Sequence, residues 1–148
     1  MNNKTIVLAT DHAGFELKES VKKYLLDLNY DIKDFGAFEY EPTDDYPDFI
    51  NPAAKFISEN DNTMGIIFGG SGQGEAMAAN RFKGVRAAVF YGGPDQIIEL
   101  SRLHNNANVL SFGSRFIESQ HAIDLIAKWL SIEFEGGRHQ QRIAKLDS

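Results

Sequence analysis

The 148-residue chain has no cysteine, one tryptophan, four prolines and no apolar run near the ~18 residues of a membrane-spanning helix. Without cysteine there can be no disulfide, no thiolate-ligated zinc, no iron–sulfur cluster and no cysteine nucleophile, although this says nothing about compartment. Basic residues are also in deficit. Fifteen Lys and Arg against 21 Asp and Glu give a formal charge of −6, which argues against a protein that coats nucleic-acid phosphates. The opening Met1-Asn2-Asn3-Lys4 leads into a short apolar run broken at Thr10-Asp11-His12, unlike a secretory signal, so a cytoplasmic location is expected. What is present, 43% hydrophobic residues over this length, suits one domain (1–148) burying ~70% of its unfolded surface.

Four short continuous apolar runs, Ile6–Ala9, Met64–Phe68, Arg86–Phe90 and Ala107–Ser111, have the form of strands buried on both faces, while Tyr30–Asp34 alternates like an edge strand. Between them lie helical stripes, Leu17, Val21, Tyr24, Leu25 and Leu28 in one segment, and Ile123, Ile126, Ala127 and Leu130 in another. Alternating strands and helices predict an α/β fold, a Rossmann-like doubly wound parallel five-stranded sheet of order 2-1-3-4-5 with a C-terminal helical tail. Phe38 to Pro52, with three prolines and Asp44, Asp45 and Asp48, is expected to be an irregular connection. Beyond Gly136-Gly137 a short polar helix from Arg138 to Lys145 should dock on something, a partner subunit being one candidate.

Ligands of such sheets bind beyond the C-terminal strand ends, where the strand order reverses between strands one and three. Strand one ends there in Asp11-His12-Ala13-Gly14; Asp11 is either part of a site or a helix cap. Strand three runs into Gly69-Gly70-Ser71-Gly72-Gln73-Gly74-Glu75-Ala76. Four glycines in six residues let the backbone turn its N–H groups toward an anion. The spacing mimics a Walker A loop, yet Glu75-Ala76 stand where Lys and Ser/Thr are required, and a carboxylate there would repel a nucleotide phosphate. Glu75 suits a general base beside a carbonyl oxygen that becomes negative, with Ser71 and backbone N–H groups as donors; the alternative is a first-turn glutamate favoured by the helix dipole. His104, at a helix C-terminus, is by itself a dipole partner as readily as a catalyst. Arg115 follows strand five, and Arg138 and Arg142, four apart, make either a phosphate fork or a solvated face. His121 has no such company and is assigned to packing or solvent. No acidic residues are grouped with histidine at metal-ligand spacing, so no metal is expected.

Taken in order, Asp11-His12-Ala13-Gly14, Asp45-Tyr46-Pro47, the glycine loop with Ala78-Ala79-Asn80, Leu100-Ser101-Arg102 with His104-Asn105, Phe112-Gly113-Ser114-Arg115 and Glu135-Gly136-Gly137-Arg138-His139-Gln140-Gln141-Arg142 resemble the type B ribose-5-phosphate isomerases and their relatives. The resemblance implies a Rossmann-like isomerase of phosphorylated sugars that needs neither metal nor other cofactor. It also implies a homodimer, paired into tetramers in some members, whose sites draw on both subunits. It assigns ring opening to His104, proton transfer between C1 and C2 to Glu75, the anion hole to Ser71 with Gly70 and Gly72, and a proton-shuttling or hydroxyl-binding role to Asp11. Tyr46, Asn105 and Gly74 resemble sugar-contacting positions, and His12, Arg115, Arg138 and Arg142 resemble phosphate and sugar ligands. One branch carries a catalytic cysteine that aligns with Gly69 here; this chain is similar to the branch with a glutamate at Glu75. That departure leaves ribose 5-phosphate as the expected substrate, with a hexose or tetrose phosphate as the alternative. The rival is a non-catalytic nucleotide-binding or signalling module of the same fold: a receiver would need an aspartate where strand three ends in Phe68-Gly69-Gly70-Ser71, and a nucleotide binder should be stabilised more by ATP than by sugar phosphates.

Overall fold

The computed structural model describes residues 3–148. Strand β1 (Thr5–Thr10) is buried from Ile6 onward because it lies inside the sheet, flanked by β2 (Asp31–Asp34) and β3 (Thr63–Gly69), both parallel to it. Its alternate residues face opposite layers. Ile6 and Leu8 meet Leu17, Val21 and Leu25 of α1 (Phe15–Asp27), together with Leu125, Ile126 and Trp129 of α5 (Ser119–Ser131). Val7 and Ala9 meet Ile50, Ala53, Ala54 and Ile57 of α2 (Pro47–Glu59) and Ala79 of α3 (Gln73–Ala79). A sheet covered on both faces follows, as its continuous apolar strands require.

The strand order is β2-β1-β3-β5-β4, so the expected architecture holds while the last two strands, β4 (Ala87–Phe90) and β5 (Val109–Gly113), are exchanged. Burial explains the exchange. All five residues of β5 are buried, whereas Ala87, Ala88 and Val89 are only half-buried and have little apolar area to gain from a central place. Asn108 fixes the join: its backbone carbonyl accepts from Gly65 N (2.8 Å), and its side chain accepts from Arg86 N (2.7 Å) and donates to Gly84 O (2.8 Å).

Two helical expectations change. The connection is irregular only as far as Tyr46; from Pro47 it is α2, with Pro47 in the first turn, where its missing N–H costs nothing. Pro52 sits on the exposed face of α2, so water can satisfy the carbonyl it leaves unpaired, while the Ile50–Ile57 stripe is buried behind it. In α5 the buried stripe is Ala122, Leu125, Ile126 and Trp129, one position off the expected one, and Ala127 is exposed. Leu28 caps α1 instead of extending its stripe. The fourth helix, α4 (Gln96–Leu103), runs antiparallel to the strands, and the tail helix α6 (Arg138–Ile143) is short. The tail docks on its own protomer: Glu135 N donates to Leu103 O (3.1 Å), His139 is buried, and Asp147 Oδ2 accepts from Gly84 N (2.8 Å). Among the described residues no helix is long and apolar enough to cross a membrane.

Candidate active site

β1 and β3 deliver their C-terminal residues to the edge where the sheet order reverses. Beyond Thr10 a short 3-10 turn (His12–Gly14) leads into α1, and Gly14 passes so close to Phe68 and Thr10 that any Cβ there would collide with both. Asp11 caps this turn, its Oδ1 accepting from Ala13 N at 3.0 Å, so the capping reading is correct. The cap is also 93% buried. Burial pushes its carboxyl above the usual range, the Ala13 N–H and His12 pull down, and the Asp44 carboxylate adds to the rise.

The glycine loop is held from outside. Ser114 N donates to Gly69 O (2.7 Å), Arg115 N to Gly70 O (3.2 Å) and Ser111 Oγ to Gly72 O (2.7 Å), while Ser71 Oγ accepts from Gln73 N (3.2 Å). Gly72 has φ +78°, and a Cβ there would press on the Phe112 carbonyl, so both conformation and space demand glycine. Glu75, in the first turn of α3, is 4% exposed and curls back to its own backbone N–H. Its carboxylate occupies the place where a Cβ on Gly69 would be. A side chain at position 69 and a carboxylate from position 75 thus exclude each other, so the placement of Glu75 requires glycine at 69. Burial, with a smaller push from Asp11, raises the Glu75 carboxyl above its usual range, which strengthens it as a base once ionised.

Two further expected residues close over the loop. Tyr46 lies against Gly74 and the Arg115 guanidinium against Gly70, each so near that a Cβ would strike it. Tyr46 is brought there because residues 35–37 continue along β1 through Phe35 N to Leu8 O (2.8 Å) and Ala37 N to Thr10 O (2.8 Å). The root of that connection is pinned by the fully buried Lys18, whose Nζ lies 2.7 and 2.8 Å from the two oxygens of Asp34. The same connection supplies one more residue, with no role expected from its place in the chain. Asp44 Oδ1 accepts from both His12 N (3.0 Å) and, in the matching tautomer, His12 Nδ1 (2.7 Å), so it orients the imidazole. Only the fold brings together these positions, 32 residues apart.

His104, Asn105, Arg138 and Arg142 are not part of this cluster. Because α4 runs back against the strands, its C-terminus lies at the opposite edge of the sheet, where β5 begins. There the four residues, with His139, line a separate cavity of about 370 Å³. One protomer therefore holds two separate groups of expected site residues, with Glu75 in one and His104 in the other. His121 behaves as expected, at the surface 2.9 Å from Asp95 and edge-on to Phe90.

The expectation that carboxylates are not grouped with histidine needs correction, since folding assembles what spacing keeps apart. Asp11, His12 and Asp44 form one trio, and His104, Glu135 and His139 another, with donor atoms within 4.8 Å of one another in each. In the first trio one Asp44 oxygen is already engaged by His12.

The model of the ribose/galactose isomerase family matches residues 6–146. The ribose-5-phosphate isomerase B of Escherichia coli is 38% identical over 140 residues, 95% of this chain and 92% of that protein. Among solved structures, the ribose-5-phosphate isomerase B of Mycoplasma genitalium with bound ribulose-5-phosphate superimposes with a TM-score of 0.93 at 38% identity, covering 99% of this chain and 95% of the other. The ribose 5-phosphate isomerase of Thermotoga maritima gives 0.90 at 41%, with 97% of each chain covered. With a match that runs from Ile6 to Leu146, the chain belongs to the ribose/galactose isomerase family.

Proposed function

We propose that the protein interconverts ribose 5-phosphate and ribulose 5-phosphate through an enediolate, at a site completed by a second copy of the chain. The observation that carries this reading is the Glu75 carboxylate, buried beside the glycine loop and Asp11 with its basicity raised. His104 of the second copy opens the furanose, moving a proton so that the C1–O4 bond breaks and C1 becomes an aldehyde. Glu75 then takes the proton from C2, and the electron pair passes through C1 to O1. The N–H groups of Gly70 and Gly72, with Ser71, hold the negative O1. Asp11 carries the hydroxyl proton from O2 to O1 while Glu75 returns its proton to C1, which leaves the ketose. His12 and Arg115, with Arg138 and Arg142 from the second copy, hold the phosphate, and Tyr46, Asn105 and Gly74 contact the sugar.

The second copy is supported by the placement of the two half-sites at opposite sheet edges, since an isologous pair would bring each against the other's complement. The free edge of β4 and the exposed Met77 of α3, beside Ala76 and Val89, offer an apolar face for it. The names and bound ligand of the relatives support the pentose. Turnover of ribose 5-phosphate in D₂O by wild type and E75Q tests the chemistry: deuterium entering the reacting carbons in the wild type and lost in E75Q supports Glu75 as the base, whereas E75Q that incorporates deuterium and turns over at the wild-type rate would remove it.

A further inference from the structure

His139 is 93% buried, yet its Nε2 has no hydrogen-bond partner. Its ring stacks on His104, with centroids 4.3 Å apart and planes within 16°. Glu135, four residues earlier, holds Oε1 3.4 Å from that Nε2, outside hydrogen-bonding geometry. This separation has another meaning. Two donors bound at about 2.0–2.1 Å to one tetrahedral zinc ion stand about 3.3–3.4 Å apart, so the Glu135–His139 edge already has the spacing of a coordination edge. A nitrogen of His104 lies within 4.8 Å of both, so bringing all three donors onto one ion requires that half-buried ring to turn out of its stack on His139. Two imidazoles and a carboxylate are a donor set suited to zinc and its neighbours in the first transition series. The fourth position opens into the 370 Å³ cavity. Arg138 and Arg142 on that cavity oppose a bare cation and favour an anion as fourth ligand, which suits a site filled when metal is elevated more than a permanently loaded one.

We propose that His104, Glu135 and His139 form a binding site for a divalent transition metal of the zinc type, and that its occupation inhibits the isomerase. The metal takes the nitrogen lone pair of His104 that ring opening requires, so inhibition rests on the role given to His104 above, whereas binding does not. The site also sets a direction for chelators, which should raise the activity of protein purified with metal and never abolish it.

The test uses the untagged full-length protein, stripped with EDTA and desalted. Cobalt(II) titrated into it should give the intense ligand-field bands of a four-coordinate ion at one equivalent per chain, bleached by zinc. E135Q, at an exposed position where folding is not at stake, and H139Q should each weaken binding at least about 100-fold, the upper end of the cost of losing even an outer-shell partner. Zinc should lower kcat/KM for cyclic ribose 5-phosphate reversibly. E135Q should keep the metal-free activity and shift the inhibition curve by the same factor as its binding. Only the weak bands of hexa-aquo cobalt, or equal binding by wild type and both variants, would overturn the site. Binding that is lost in both variants but leaves turnover untouched would uphold the site and remove its inhibitory action, and with it the role of His104.

Discussion

Replacing Gly69 by alanine moves the Glu75 carboxylate without touching Glu75. The backbone at Gly69 is not left-handed, so alanine adopts it without strain, and the whole effect comes from the new methyl group. That methyl overlaps all three carboxylate atoms of Glu75, while ordinary contact begins near 3.4 Å, so the carboxylate must retreat by about 1 Å or more. A displacement of that size at a reacting group costs roughly 10²-fold, and the phosphate and sugar contacts lie elsewhere, so G69A should lose about 10² in kcat with KM little changed. Overpacking costs about 1–3 kcal/mol, but the expelled carboxylate regains water, so the loss of stability should sit at the low end, a Tm drop of about 2–4 °C. Once hydrated, the carboxyl returns toward its usual range, which moves the acid limb of kcat to lower pH. In an E75Q background the same alanine should change kcat by less than about threefold, since the two substitutions act through one group. Steady-state rates across pH for the four proteins decide the matter. A G69A enzyme within about threefold of wild-type kcat, its acid limb unmoved, would show that the buried carboxylate is not the base.

Three further outcomes follow from the same geometry. E75Q should lower kcat by roughly 10²–10⁴ yet raise Tm at neutral pH. The folded carboxyl titrates above its usual range, so its stabilising effect is present below that range and lost as pH rises through the folded value. Glutamine escapes that loss, and melting at pH 7 and pH 4 should show the gain at the higher pH alone. R138A and R142A should chiefly raise KM for the phosphorylated sugar, because a remote phosphate contact is equal in ground and transition states; an unchanged KM with depressed kcat would place them at the reacting carbons. Five-carbon phosphates should outrun six-carbon ones, since each carbon adds about 1.3 Å to the span from glycine loop to phosphate, and about 1 Å of misplacement costs roughly 10²-fold. A higher kcat/KM for allose 6-phosphate than for ribose 5-phosphate would reassign the substrate and leave the mechanism.

Much of this was legible in the order of residues, and what was not shares a cause. Apolar runs locate β1 and β3, alternation marks β2 as an edge, and the glycine loop announces itself through composition. The exchange of β4 and β5 escapes because both runs are short and continuous, and the smaller side chains of Ala87-Ala88-Val89 and the hydrogen bonds of Asn108 decide between them only in the folded sheet. α2 escapes because Pro47 and Pro52 read as breakers until one is seen in a first turn and the other facing water. The α5 stripe shifts by one once Trp129 is counted as core, where its Nε1 finds Ser101 Oγ at 3.2 Å. In the site, Glu75, Asp11 and Arg115 are visible as residue types at strand ends, but Asp44 and His139 acquire meaning only from partners distant in sequence. No spacing rule encodes the meeting of Asp44 with His12, or of His139 with His104.

Mixing dead subunits shows whether the site is shared between two copies. E75Q and H104A homodimers should each be nearly inactive. After dissociation and reassociation at equal concentration, half of the dimers are mixed; in each of these one site carries both lesions and the other carries neither. Activity should recover to about a quarter of the wild-type level, the fraction of intact sites. Activity that stays at the level of the two parents after subunit exchange has been verified by native mass spectrometry would contradict a shared site, because Glu75 and His104 would then have to act from the same chain.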